Sequence, residues 1–206
     1  MIFALSSTKG GEGKSTLALN LAIALSLAGR DVLAVDADPQ MSLASALKLR
    51  EPDPIAAASY ADGQTLRQQV QLAAKRYEDI VIDCPGGRNS AALRAALMVA
   101  DRVVVPFQPR SYSMWAIADF LEILTEARGY RDIAALAVLS MADPRGADNR
   151  EAAAAIPEGI TYLPTPIGRR KAISESAAEG RSIIELPGRD PKAEVEMRNF
   201  IHAVLA

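Results

Sequence analysis

Cysteine and histidine are almost missing from this chain: its 206 residues hold one of each, Cys84 and His202. A lone cysteine forms no internal disulfide, and the pair supplies no His/Cys cluster with metal-ligand spacing. An iron–sulfur role that needs paired cysteines is excluded on the same ground. Neither sign of charge dominates. Lys and Arg number 23 against 25 Asp and Glu, for a net charge of −2, so the chain is not a polycation built to coat nucleic acid and any DNA contact must come from a local patch. Long hydrophobic runs are missing too. The most apolar stretch, Leu17 to Ala28, is broken by Asn20 and Ser26 and falls short of the roughly 20 residues that span a bilayer. No basic segment precedes a cleavable apolar run, because Met1 leads straight into Ile2-Phe3-Ala4-Leu5. These absences predict a cytoplasmic protein with no membrane association.

What is present is the profile of a soluble globular protein with a sizeable core, 50% hydrophobic and 23% charged. Short β-branched runs alternate with helical patterns, the sequence form of βαβ units around a mainly parallel central sheet flanked by helices on both faces. Strands are predicted at Ile2–Ser6, Asp31–Val35, Asp79–Asp83, Arg102–Pro106, Ile133–Ser140 and Ile160–Leu163. Helices are predicted at Lys14–Ala28, Gln64–Lys75, Ser90–Ala100, Trp115–Ala127, Asn149–Ala155, Lys171–Ala178 and Pro191–Leu205. Pro52 and Pro54 mark a loop and Asp143-Pro144-Arg145-Gly146 a turn. No stretch has the length of an inter-domain linker, so residues 1–206 are expected to form one domain.

The first strand runs into Ser7-Thr8-Lys9-Gly10-Gly11-Glu12-Gly13-Lys14-Ser15-Thr16 and then into an apolar helix. This strand, loop and helix are the context a phosphate-binding loop requires. Glycines let successive N–H groups curl around a phosphate, the helix N-terminus adds partial positive charge, and Lys14 adds a full one. Ser15 is placed to offer its hydroxyl to Mg²⁺. The general P-loop pattern has glycine where this chain has Thr8. The narrower pattern Lys9-Gly10-Gly11-x-Gly13-Lys14-Ser15-Thr16 is complete, and it resembles the deviant Walker A motif of the ParA/MinD ATPase family. The resemblance continues through Val35-Asp36-Ala37-Asp38-Pro39-Gln40, Asp79-Ile80-Val81-Ile82-Asp83 with Gly86-Gly87, Val103-Val104-Val105-Pro106, and Leu139-Ser140-Met141-Ala142-Asp143. It is nearest to small ParA partition proteins of the ParF kind. With the first strand starting at residue 2, no N-terminal helix-turn-helix domain is expected.

The resemblance implies a P-loop NTPase fold, slow Mg²⁺-dependent ATP hydrolysis, and a role for each matched residue. Lys14 serves its own nucleotide's β/γ-phosphates, and Lys9 crosses to the nucleotide of a second copy, so that ATP promotes a homodimer. Gly10, Gly11, Gly13, Ser15 and Thr16 cradle the phosphates, and Met141 lies in the segment that contacts the base. Asp38 prepares the attacking water, while Ser15, Asp36 and Asp83 surround Mg²⁺ and Gly86-Gly87 sense the γ-phosphate. Glu12 departs from the small or apolar residue usual at its position; it is expected to weaken the ATP-bridged dimer or to pair across it.

By the same resemblance the ATP dimer binds DNA without sequence preference through Arg145, Arg169, Arg170 and Lys171, and a centromere-binding or cargo adaptor protein stimulates hydrolysis. A nucleoid-associated ATPase of DNA segregation or cargo positioning is the implied function. Two alternatives use the same fold: a MinD-like membrane-cycling ATPase and a dethiobiotin-synthetase-like metabolic enzyme. Cys84 reads as a small core residue, His202 as surface or packing, and the helix from Met114-Trp115 through Phe120 and Leu124 as core or dimer contact.

Overall fold

A computed structural model describes residues 1–51, 53–109, 111–143 and 148–206, with the side chains of 111–115 and 148 outside that description. Arg145 and the turn around it therefore lie outside the described residues. Seven strands, β1 (Ile2–Leu5), β2 (Val32–Asp36), β3 (Ala56–Ser59), β4 (Asp79–Asp83), β5 (Arg102–Phe107), β6 (Ala134–Ala142) and β7 (Thr161–Gly168), form one sheet in the order β3-β2-β4-β1-β5-β6-β7. Every pairing is parallel. The C-terminal ends of all the strands consequently share one edge, where ligands of open α/β sheets bind.

Side-chain alternation along the strands sorts the core into two layers. Ala4, Leu33, Val35, Ile80, Ile82, Val103 and Val105 face one side, against α3 (Gly63–Ala73), α4 (Ala91–Leu97) and α5 (Ser111–Arg128), with α6 (Asp148–Ala154) at its margin. Phe3, Leu5, Val32, Ala34, Val81 and Val104 face the other, against α1 (Lys14–Leu27), α2 (Ser42–Leu47), α7 (Lys171–Ala178) and α8 (Pro191–Leu205). Leu17, Ala18, Leu19, Leu21, Ala22, Ile23 and Leu25 of α1 are all buried, so α1 is apolar on most of its surface and sits inside the molecule.

Three elements depart from the sequence expectation. Helix α2 and strand β3 form where neither a helix nor a strand is expected, and β7 runs on through Pro164 and Pro166. As an edge strand β7 tolerates prolines, because an outward-facing position needs no N–H donor. Register shifts between Val138 and Ser140 and between Ser140 and Ala142 accompany the extension, and Met141 there adopts a left-handed backbone with φ 53°. No helix among the described residues is long and apolar enough to cross a membrane.

Candidate functional site

Between β1 and α1 the loop forms one wall of a cleft of about 920 Å³, within the usual size of a small-molecule site. Gly10, Gly11, Gly13, Lys14, Ser15, Thr16, Asp38 and Met141 line it, together with Gln40, Ser42, Gly86 and Ser90. Gly13 caps α1 with φ 88°, and a Cβ there would stand 3.0 Å from the Ser140 hydroxyl, so both backbone angle and space require glycine. A smaller pocket of about 260 Å³ opens from the same region, between Leu17, Met141, Ile167 and Ile173. Met141 borders both.

Lys14 is buried and its ammonium donates to the Lys9 carbonyl at 3.0 Å, which also accepts the Ser7 hydroxyl at 2.8 Å. The Lys14 charge is thus held against the loop by a bond that a phosphate oxygen can replace. Lys9 is half-buried. Glu12 is 1% exposed and is absent from the cleft wall. Its side chain is therefore enclosed by its own subunit.

Asp36 and Asp83 are direct cross-strand neighbours at the ends of β2 and β4. Their carboxylates are used differently. Asp36 accepts the Asp38 N–H at 3.0 Å and the Ala44 N–H at 2.9 Å, one on each oxygen, and so shapes the loop into α2. Each oxygen thus holds a backbone amide, and Asp36 also acts on neighbouring Asp83 through its charge. Burial raises the Asp36 carboxyl above the ordinary range, and those two amides pull against it.

Asp83 is fully buried and neither of its oxygens has a well-formed hydrogen bond among the described residues. Burial pushes its carboxyl up to about 7; the nearby Ser15 hydroxyl and Lys14 charge pull down, and the Asp36 and Asp38 charges push further up. An orphaned buried carboxylate beside a serine hydroxyl is a fit for a hard divalent cation that takes oxygen ligands and keeps waters. No group of three or more His, Cys, Asp or Glu capable of holding a metal occurs among the described residues, so such a cation would complete its shell from a bound ligand and water. Asp38 lines the cleft, with one oxygen accepting the Gln40 N–H at 2.9 Å.

Of the expected basic surface, Arg169 and Lys171 are exposed at the strand-end edge of the sheet. Arg170 is not available in the same way. Its guanidinium meets Glu196 of α8 at 2.7 and 2.6 Å and Asp190 at 3.7 Å, and this pairing holds it further above its usual value. These bonds make Arg170 a clasp between the β7 end and α8. Cys84 is buried, with its thiol pushed up by burial first and by Asp83 second, which fits a core residue.

One contributor escaped the sequence reading. Gln108, 7% exposed, donates from Nε2 to the Gly11 carbonyl at 2.9 Å and fixes the crest of the loop from outside the cleft. The signal was a polar residue directly after an apolar strand, one place from the loop's own strand in the sheet.

Comparison with known proteins agrees with this geometry. The chain is 29% identical over 98% of its length to "Maintenance of carboxysome distribution protein A" of Halothiobacillus neapolitanus, spanning 95% of that protein. It is 30% identical over 61% of its length to "Chromosome-partitioning ATPase Soj" of Thermus thermophilus, spanning 61% of that protein. The septum site-determining protein MinD of Pyrococcus horikoshii, solved with Mg-ADP, superposes with a TM-score of 0.78 at 20% identity, over 98% of this chain and 95% of that one. Residues 3–183 match the family described as "CobQ/CobB/MinD/ParA nucleotide binding domain", and the chain belongs to that family.

Proposed function

We propose that this protein is a ParA-type positioning ATPase, in which ATP promotes a homodimer that rests on non-specific DNA until a partner-stimulated hydrolysis releases it. The observation that carries the reading is the phosphate loop with Lys14 and Asp38 on one cleft, backed by the buried Asp83 carboxylate close to Lys14 and Ser15. Relatives named for carboxysome distribution and chromosome partitioning support the positioning role. The cargo is then chosen by an adaptor protein, since the same module serves different cargoes.

In this reading the amides of Gly11, Gly13, Lys14 and Ser15 bind the β- and γ-phosphates of ATP, and Lys14 exchanges the Lys9 carbonyl for a phosphate oxygen. The Ser15 hydroxyl and the Asp83 carboxylate would hold Mg²⁺, which would supply charge neutralisation for the phosphates. Asp38 orients a water for in-line attack on the γ-phosphorus, as the bond to the bridging β-oxygen breaks and ADP leaves. Lys9 brings its charge to the nucleotide of the second copy, where two facing triphosphates otherwise repel. Arg169 and Lys171, doubled in the dimer, and Arg145 by resemblance, supply the phosphate contacts to DNA.

Sedimentation of the protein with ADP and with a non-hydrolysed ATP analogue, with and without non-specific duplex at low and moderate salt, tests the proposal. An ATP-only dimer that binds duplex and loses it as salt rises is expected. A monomer in every nucleotide state, or a dimer indifferent to DNA, overturns it; liposome flotation then tests a membrane-cycling role, and turnover with small carboxylic acids tests a metabolic one.

A further inference from the structure

Helix α5 is fastened to the nucleotide loop directly through Thr8 and indirectly through the turn that follows β4. Thr8 stands at their junction. Its hydroxyl donates to the Ala116 carbonyl of α5 at 2.8 Å, across 108 positions of sequence. Its own carbonyl accepts the Gly87 N–H at 3.0 Å. The next residue, Arg88, forms ion pairs with Asp119 and Glu122 of α5. Residues 116 to 122 cover under two helical turns, so one short stretch of α5 receives all of these bonds.

The turn has little freedom of its own. A Cβ on Gly86 would stand 3.3 Å from the Gly10 nitrogen and 3.4 Å from the Lys9 carbonyl carbon, so the turn lies directly against the loop's backbone. Any rearrangement of Gly86-Gly87 alters the Gly87 to Thr8 bond, and through the threonine hydroxyl it alters the bond to Ala116. The Arg88 pairs are about half exposed and contribute little alone; the half-buried Thr8 bond is the firmer connection. A glycine at position 8, as in the general P-loop pattern, has no hydroxyl with which to make it.

We propose that Thr8 is a positioning residue that transmits the state of the Gly86-Gly87 turn to α5, so that the α5 surface around Asp119 and Glu122 changes with the bound nucleotide. This rests on the nucleotide-switch reading above and adds to it a route from the γ-phosphate to an outer surface.

Hydrogen exchange of the α5 amides in the full-length protein, saturated with ADP or with a non-hydrolysed ATP analogue and Mg²⁺, is the test. Saturation is set for each variant by titration of a fluorescent nucleotide. In the unmodified chain the exchange rates of α5 should differ between the two nucleotides by about fivefold or more, the lower end of typical allosteric coupling. Thr8→Ser retains the difference, Thr8→Val loses most of it, and Arg88→Gln reduces it. Should the valine not fold, Thr8→Ala carries the same expectation. An α5 difference that persists without the hydroxyl overturns the proposal. So does an unmodified chain that binds the analogue while α5 is unchanged, an outcome that leaves the nucleotide reading standing. A chain that binds neither nucleotide brings down both.

Discussion

Arg50 and Glu185, 135 positions apart, meet in a two-point ion pair at 2.9 and 2.7 Å, with side chains only 6% and 9% exposed. Glu185 also accepts the Ser182 N–H at 2.8 Å, closing the capping box of a short 3-10 turn, Ile183–Glu185. The pair therefore ties the chain just after α2 to the turn between α7 and α8. Burial pushes the Glu185 carboxyl up, but Arg50 and the Ser182 amide prevail and hold it below the ordinary 4.5. A lowered folded value means stability that is fully present above the unfolded pKa and is lost as pH falls through the folded one. Glu185→Gln should cost about 3–5 kcal/mol at pH 7, because it leaves Arg50 buried without a counter-charge. Urea denaturation should show that cost shrinking on acidification below the ordinary glutamate range, where the parent chain's Glu185 is itself protonated.

Asp83 makes the opposite case: under the proposed function it is a charge kept for a ligand at the expense of the fold. It is fully buried beside its register partner Asp36, with neither oxygen well bonded. Asp83→Asn removes a buried charge whose desolvation outweighs the help of Ser15 and Lys14, and should raise the melting temperature of the nucleotide-free protein. The same change should weaken Mg²⁺-dependent binding of an ATP analogue by about tenfold or more. Calorimetric titration with and without Mg²⁺, alongside thermal melts, separates the two effects. A variant that loses stability and binding together would mark Asp83 as a structural residue instead.

The three consecutive basic residues after β7 should split by role. Arg170→Ala breaks charged hydrogen bonds to Glu196 and should cost about 2 kcal/mol of stability. Arg169→Glu with Lys171→Glu touches exposed positions and should shift stability by under about 0.5 kcal/mol. Duplex binding by the ATP-analogue state should follow the reverse order. The double variant should abolish it, and conservative neutralisation of either exposed residue should lower the salt slope by about one for each DNA phosphate left without its cation. Filter binding across a salt series measures both.

The features legible in the sequence were those where chemistry or strong propensity restricts residue type. Ile80-Val81-Ile82 and Val103-Val104-Val105 announce buried parallel strands, and two lysines and two hydroxyls set among glycines announce a phosphate loop. Ala56-Ala57-Ala58-Ser59 announces nothing, because alanine has little strand preference. It becomes β3 because the edge of β2 offers a ladder, in register from Leu33 with Ala56 to Asp36 with Ser59. The inward turn of Glu12, the Gln108 brace on Gly11 and the capture of Arg170 by Glu196 are tertiary facts. Each depends on a partner far away in sequence, and local pattern carries no trace of it.

Gly86→Ala tests how closely the turn after β4 must approach the phosphate loop. The added Cβ would meet Gly10 and Lys9 backbone atoms at 3.3 and 3.4 Å, and backbone cannot swing aside as a side-chain tip does. Gly86 is itself exposed, so the methyl fills no core space, and easing these contacts should cost the nucleotide-free fold about 1 kcal/mol. Binding of the diphosphate, which leans on Gly13, Lys14 and Ser15, should change little. Under the proposed function, what the methyl obstructs is the approach of the turn to the terminal phosphate. ATP-dependent dimerisation and hydrolysis should therefore fall by about tenfold or more, the loss a small displacement causes where catalysis depends on position. Equal losses for ADP and the ATP analogue in parallel titrations would show instead that the methyl deforms the whole loop, and the turn would then have no particular claim on the γ-phosphate.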